Sequence, residues 1–190
     1  MKLKPTLLAA SLALATGALA LAPAAFAADG TITINGQVVS ATCNISFNGG
    51  TAAAAPVNGT VTLPPVSTTT LGAPGDTGGA MPFSVGISGC TDEAGKTMVA
   101  VFSGNNINTT DGNLTTATGG ASNVEVQLAN AASPTTGLKL NLGEGNQGVT
   151  GATVDSSGNA TASFIAQYYA TGAATAGTVT TNVDYTLVYE

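Results

Sequence analysis

The chain has 190 residues, with four lysines and no arginine, histidine or tryptophan against ten carboxylates. So few cations cannot neutralise a phosphate backbone, which excludes nucleic-acid binding and disfavours adhesion to anionic membrane surfaces. Without histidine, arginine or a spare cysteine the usual acid–base and nucleophile constellations cannot be assembled, so an enzyme is not expected and no catalytic or cofactor-binding residue is assigned.

From the N-terminus, Lys2 and Lys4 precede an apolar run over residues 7–21, and Ala25-Phe26-Ala27 offers small residues where a signal peptidase reads. This layout predicts a cleaved secretory signal peptide over residues 1–27 and export to an oxidising compartment. Beyond it, two lysines, Lys96 and Lys139, face ten carboxylates, and no stretch is long and apolar enough to cross a bilayer, so direct membrane insertion is not expected. The two cysteines, Cys43 and Cys90, are expected to form one disulfide.

Helical periodicity is absent after residue 27, and short alternating segments recur between turn signals. In the first, Ile32, Ile34, Gly36 and Val38 share one face and Thr31, Thr33, Asn35 and Gln37 the other. Further strands are expected over 42–47, 59–63, 83–89, 98–102, 123–129, 138–142, 160–169 and 179–189, with a long Ala- and Gly-rich loop over 48–57. Pro64-Pro65, Ala73-Pro74-Gly75, Asp111-Gly112, Gly119-Gly120 and Ser157-Gly158-Asn159 punctuate them. Many short strands without helices indicate an all-β sandwich. The last strand alternates Val183, Tyr185, Leu187 and Tyr189 with Asp184, Thr186, Val188 and Glu190, where the sequence stops. One strand is surplus at the start and one is missing at the end, unless the first strand pairs within its own domain.

Taken in order, these segments resemble the subunits of chaperone–usher pili, close to type 1 fimbrial major subunits. The stretch Gly30-Thr31-Ile32-Thr33-Ile34-Asn35-Gly36-Gln37-Val38-Val39, followed by Cys43, is similar to the family's N-terminal extension running into its first strand. Thr60-Val61-Thr62-Leu63 and Phe83-Ser84-Val85-Gly86-Ile87 fit the segments before the second cysteine. Phe164-Ile165-Ala166-Gln167-Tyr168 resembles an F-x-A-x-Y strand, and the run from Ala173 to the penultimate Tyr189 resembles the C-terminal strand. Ile34 stands where such subunits often carry Phe, and Pro64-Pro65 replaces a milder turn.

The resemblance implies an incomplete immunoglobulin-like β-sandwich lacking its last strand, with residues 28–38 as a donor-strand extension and 39–190 as the pilin domain. Ile32, Ile34, Gly36 and Val38 would enter the groove of a neighbouring subunit. Val183, Tyr185, Leu187, Tyr189 and Glu190 would form the acceptor groove and the chaperone contact. The implied partners are other pilus subunits, a periplasmic chaperone and an outer-membrane usher. The implied location is a cell-surface fimbrium reached through the periplasm.

Rival readings are weaker. Asp92-Glu93 follows Cys90 in an expected loop, where solvated charge is the ordinary state. Gly95-Lys96-Thr97 echoes a phosphate-binding loop, but Cys90 occupies the place of its upstream glycine. Residues 155–159 offer oxygens suited to calcium, yet a hairpin turn accounts for them, so no metal site is assigned. A tip adhesin would need an additional lectin domain, for which this length leaves no room. A monomeric secreted or periplasmic β-sandwich binding domain is the alternative, and it requires the N-terminal strand to fold back on its own body.

Overall fold

Strands form where apolar residues recur at every second position and a neighbouring backbone is present to bond them. In the computed structural model residues 43–190 are described; the expected signal peptide and the donor positions Ile32, Ile34, Gly36 and Val38 lie outside them. Eight strands follow: β1 (Asn44–Phe47), β2 (Ala53–Ala54), β3 (Thr77–Ser88), β4 (Thr97–Ser103), β5 (Val124–Asn130), β6 (Ala152–Thr153), β7 (Ala160–Ala170) and β8 (Asp184–Tyr189). No α-helix is present among the described residues; a single 3-10 turn spans Thr91–Glu93. The strands make a five-stranded sheet in the order β2-β1-β3-β7-β5 and a three-stranded sheet in the order β6-β4-β8, with every pairing antiparallel.

The core lies between the sheets. From β4 come Met98, Ala100 and Phe102, and from β7 Ala160, Ala162, Phe164 and Ala166, all buried. A file of aromatic rings links the layers: Phe47 stacks on Phe83 at 5.8 Å, Phe83 meets Phe164 at 5.3 Å, and Phe164 meets Phe102 edge-on at 5.2 Å. The antiparallel register places Asn44 opposite Ser88, which brings the flanking Cys43 and Cys90 together as a disulfide with Cα atoms 4.9 Å apart. The sequence expectation for this pair holds.

Several expected boundaries move for identifiable reasons. β3 begins at Thr77, ahead of the expected 83, because β7 runs far enough to pair Tyr169 with Thr77. The early part of β3 has β7 alone as its neighbour, since β1 pairs with Val85–Ser88 only, and Pro82 is tolerated there. The expected loop over 48–57 contains the two-residue β2. Segments 59–63 and 138–142 alternate as strands would but are not strands, and the expected strand over 179–189 begins at Asp184.

The sheet edges are treated unequally. At β5, Leu114 and Val126 exchange two backbone bonds of 2.8 and 2.9 Å, and the Leu138 amide donates to the Leu128 carbonyl at 2.7 Å. Residues 114 and 138 thus close that edge, and β5 is buried throughout. β2 and β6 are edges of two residues each, short enough to offer little template. At β4, beyond the end of β6, the Gln147 amide stands in for a missing strand. Its Oε1 accepts from the Phe102 amide at 2.9 Å and its Nε2 donates to the Phe102 carbonyl at 2.6 Å. The remaining edge is β8.

Candidate functional site

β8 is bonded on one side only. Its register with β4 runs from Ser103 opposite Asp184 to Met98 opposite Tyr189, and the Thr97 and Glu190 backbones extend the ladder with bonds of 2.8 and 3.0 Å. Among the described residues no strand lies on its other edge. Val183, Tyr185, Leu187 and Tyr189 pack against the core yet stay half-buried, while Asp184, Thr186 and Glu190 are exposed. Val188, which the alternation assigns outward, is half-buried too.

Residues 57–66 form the second wall. Val57, Val61, Leu63 and Val66 are half-buried, while Thr60, Thr62 and Pro64 are exposed, the alternation of a strand. Yet no backbone amide or carbonyl of this stretch enters a backbone–backbone bond among the described residues. One side-chain bond reaches across: the Tyr185 hydroxyl donates to the Val57 carbonyl at 2.7 Å. Gly59 rests on the Phe47 ring so closely that a Cβ there would overlap it, which lets the wall lie against β1. Further along, the walls part into a cleft of about 510 Å³ between residues 63–68 and 174–180, floored by Leu71, Val124 and Tyr168.

The electrostatics suit an apolar occupant. Burial pushes the Tyr185 hydroxyl above its ordinary range and does the same to Tyr189, with a smaller push from the negative charge of Glu93. Both phenols are therefore neutral at physiological pH. Glu93 itself is paired with Lys96 at 2.6 Å. Among the described residues, β8 has no strand on its second edge and residues 57–66 have no backbone–backbone bond. An extended chain can pair with such an edge, main-chain bonds supplying generic affinity and alternate side chains supplying fit.

The structure packs Val183, just ahead of β8, and Tyr185, Leu187 and Tyr189 on it against the core, and leaves Glu190 exposed beyond the strand. The opposite wall was missed as a groove element by sequence reasoning. Its signal was present in the alternation of Val61 and Leu63, but alternation does not say whether a strand has a partner. Residues 155–159 form the expected hairpin turn. Asp155 Oδ1 accepts from the Ser157 and Asn159 amides at 2.8 and 3.0 Å, and these backbone bonds hold its carboxyl below the usual range.

Comparison with known proteins places this geometry. The family model FimA, type-1 fimbrial protein A, matches residues 63–190. The F17 fimbrial protein of Escherichia coli is 41% identical over 178 residues, covering 91% of this chain and 94% of that protein. The major fimbrial subunit SMF-1 of Stenotrophomonas maltophilia is 38% identical over 175 residues, covering 90% and 99%. Among solved structures, a chaperone–usher pilus superposes with a TM-score of 0.58 at 20% identity, covering 89% of this chain and 100% of that one. The P pilus rod subunit PapA superposes with a TM-score of 0.55 at 18% identity, covering 79% and 100%. These likenesses establish the incomplete immunoglobulin-like sandwich as the fold. With its two antiparallel sheets and the family match across its whole C-terminal two-thirds, the chain belongs to the type-1 fimbrial protein A family and is a structural subunit of a fimbria.

Proposed function

We propose that the subunit polymerises by donor-strand complementation, with residues 28–38 of one copy filling the groove between β8 and residues 57–66 of the next. The observation that supports this reading is that, among the described residues, neither the outer edge of β8 nor residues 57–66 has a backbone partner, while the other edges of both sheets are closed or short. Ile32, Ile34 and Val38 alternate with polar residues and supply an apolar face for the floor, while Gly36 lets the donor backbone approach closely. Burying the three aliphatic side chains would contribute about 5–9 kcal/mol, an upper figure because the free extension already shields some of its surface. Residues 1–27 direct export, and residues 39–190 form the accepting domain. A periplasmic chaperone shields the groove before assembly, since an open edge invites aggregation, and an outer-membrane usher exchanges it for the next subunit on the way to the cell surface. Glu190, exposed past β8, is assigned to basic residues of the chaperone through a charge-assisted contact.

The test is a peptide of residues 28–40 added to a subunit that lacks 28–38. Binding with a clear rise in the thermal midpoint is expected, and an Ile34→Asp peptide should bind at least about 100-fold more weakly because it carries a charge into an apolar floor. Equal binding of both peptides, or of neither, would contradict the reading.

A further inference from the structure

Glu93 and Glu125 are the buried carboxylates among the described residues. Glu93 has Lys96 at 2.6 Å, whereas Glu125 has no ion-pair partner among those residues. It stands on β5 opposite Tyr169 of β7, 8% exposed, on the face turned away from the core residues Val126 and Leu128. The turn of residues 108–113 folds over it. The Asn108 side-chain amide donates to its Oε1 at 2.7 Å, while Oε2 is buried without a hydrogen-bond partner. Asp111, from the same turn, brings its carboxyl within hydrogen-bonding reach, and Asn113 flanks the pair. The backbone amides of Asn108, Thr110, Gly112, Asn113 and Leu114 are all bonded to other oxygens. Lys139 is exposed, and its Nζ meets the Asp111 carbonyl at 3.3 Å rather than either carboxylate.

Two carboxylates in contact away from water cannot both stay ionised, and one proton between them relieves the repulsion. We propose that Glu125 and Asp111 share one proton, forming a carboxyl–carboxylate bond that latches the 108–113 turn onto β5 and tightens as the medium acidifies. The proton comes from solvent and sits on Glu125 Oε2, the atom otherwise without a partner, and the Asp111 carboxylate accepts it in a hydrogen bond. Position gives the latch its purpose. Glu125 precedes Val126 and Asn113 precedes Leu114, and the backbones of Val126 and Leu114 exchange the bonds that close the β5 edge. Burial, joined by the charge of Asp111, raises the affinity of the Glu125 carboxyl for its proton against the opposing bonds from Asn108 and Asn113. The other titratable groups around the pair are Tyr169 on β7 and Lys139. A carboxyl whose folded pKa is raised contributes its full stability below the unfolded value and loses it as pH rises through the folded value. The closure is therefore firmest in acid. Asp155, whose carboxyl is held low by backbone bonds, acts in the opposite sense and sets a limit on the acid side.

The test is a carboxyl titration by carbon-detected NMR, together with thermal unfolding from about pH 5 to about pH 8, on the mature subunit. The Glu125 carboxyl is expected to titrate above the ordinary glutamate range. It should fall back toward that range in Asp111→Asn, which keeps the oxygen that the Asn113 amide uses. The unfolding midpoint should drop with rising pH, by about 3–5 °C for each pH unit by which folding raises that titration. Glu125→Gln keeps the shape and offers a neutral amide to Asp111, so its midpoint should exceed the parent's at about pH 8 and lose that slope. Glu144→Gln, at an exposed site, should keep the slope. A Glu125 titration within the ordinary range, or one unmoved by Asp111→Asn, would overturn the shared proton. An undiminished slope in Glu125→Gln would overturn the latch. The titration of the parent protein decides the matter even where a variant fails to fold.

Discussion

Phe164 and Gln147 stabilise the same sandwich by different physics, and the contrast can be measured. Phe164 is fully buried and is the ring on which Phe83 of its own sheet and Phe102 of the opposite sheet converge. Phe164→Ala removes that contact and leaves a cavity, so a loss of about 3–5 kcal/mol is expected. Gln147 contributes little apolar area, but both of its polar ends bond the Phe102 backbone. Gln147→Ala leaves a buried amide and a buried carbonyl unsatisfied, at a cost of about 2–4 kcal/mol. Denaturant unfolding of donor-complemented protein reads both, and a Gln147→Ala variant as stable as the parent would show that water replaces the side chain. The aromatic file was partly legible beforehand, because Phe83 and Phe164 stand at alternating positions of expected strands. The strand-mimicking role of Gln147 was not. It depends on β6 ending after two residues, which no local pattern announces.

Element by element, alternation located strands well where a partner existed and over-assigned them where none did. Segments 59–63 and 138–142 carry the same period as β4, yet neither sits in a ladder of its own. For 138–142 the reason is that Leu138 and Leu140 bury themselves as a cover for the β5 edge, with the Leu138 amide bonded to Leu128. For 59–63 no backbone partner lies alongside among the described residues. Periodicity records which side chains face the core and is blind to what lies along the edge. The start of β8 was misplaced by five residues on the same account, because Val179 and Val183 point inward before the β4 ladder begins. Edge closure also yields a prediction. Leu114→Pro removes the amide that donates to Val126 at 2.8 Å and reopens β5. Self-association of the folded, donor-complemented subunit is expected, seen as light scattering well below its unfolding temperature. A monodisperse variant would mean that this cover is not what keeps the β5 edge from pairing.

At the scale of the whole molecule, the described residues leave β8 bonded on one side, and residues 28–38 carry the alternating apolar period that the proposal assigns to completing another copy. Composition fits that role: two lysines after residue 27 leave few cleavage sites for trypsin-like proteases, and Lys96 is tied to Glu93 by an ion pair. The family and the sandwich were readable from ordered motifs, and the disulfide from two cysteines in a chain expected to be exported. The missing backbone partners of residues 57–66 among the described residues required the three-dimensional register. The decisive measurement compares two yields for a chain lacking residues 28–38: the complex with the periplasmic chaperone and the assembled surface fibre. Donor-strand complementation requires the chaperone complex to persist near its normal level while fibres are lost, because the truncated subunit can accept a strand but cannot offer one. Loss of both together would contradict it, since that is the behaviour of a sandwich completed by its own N-terminal strand.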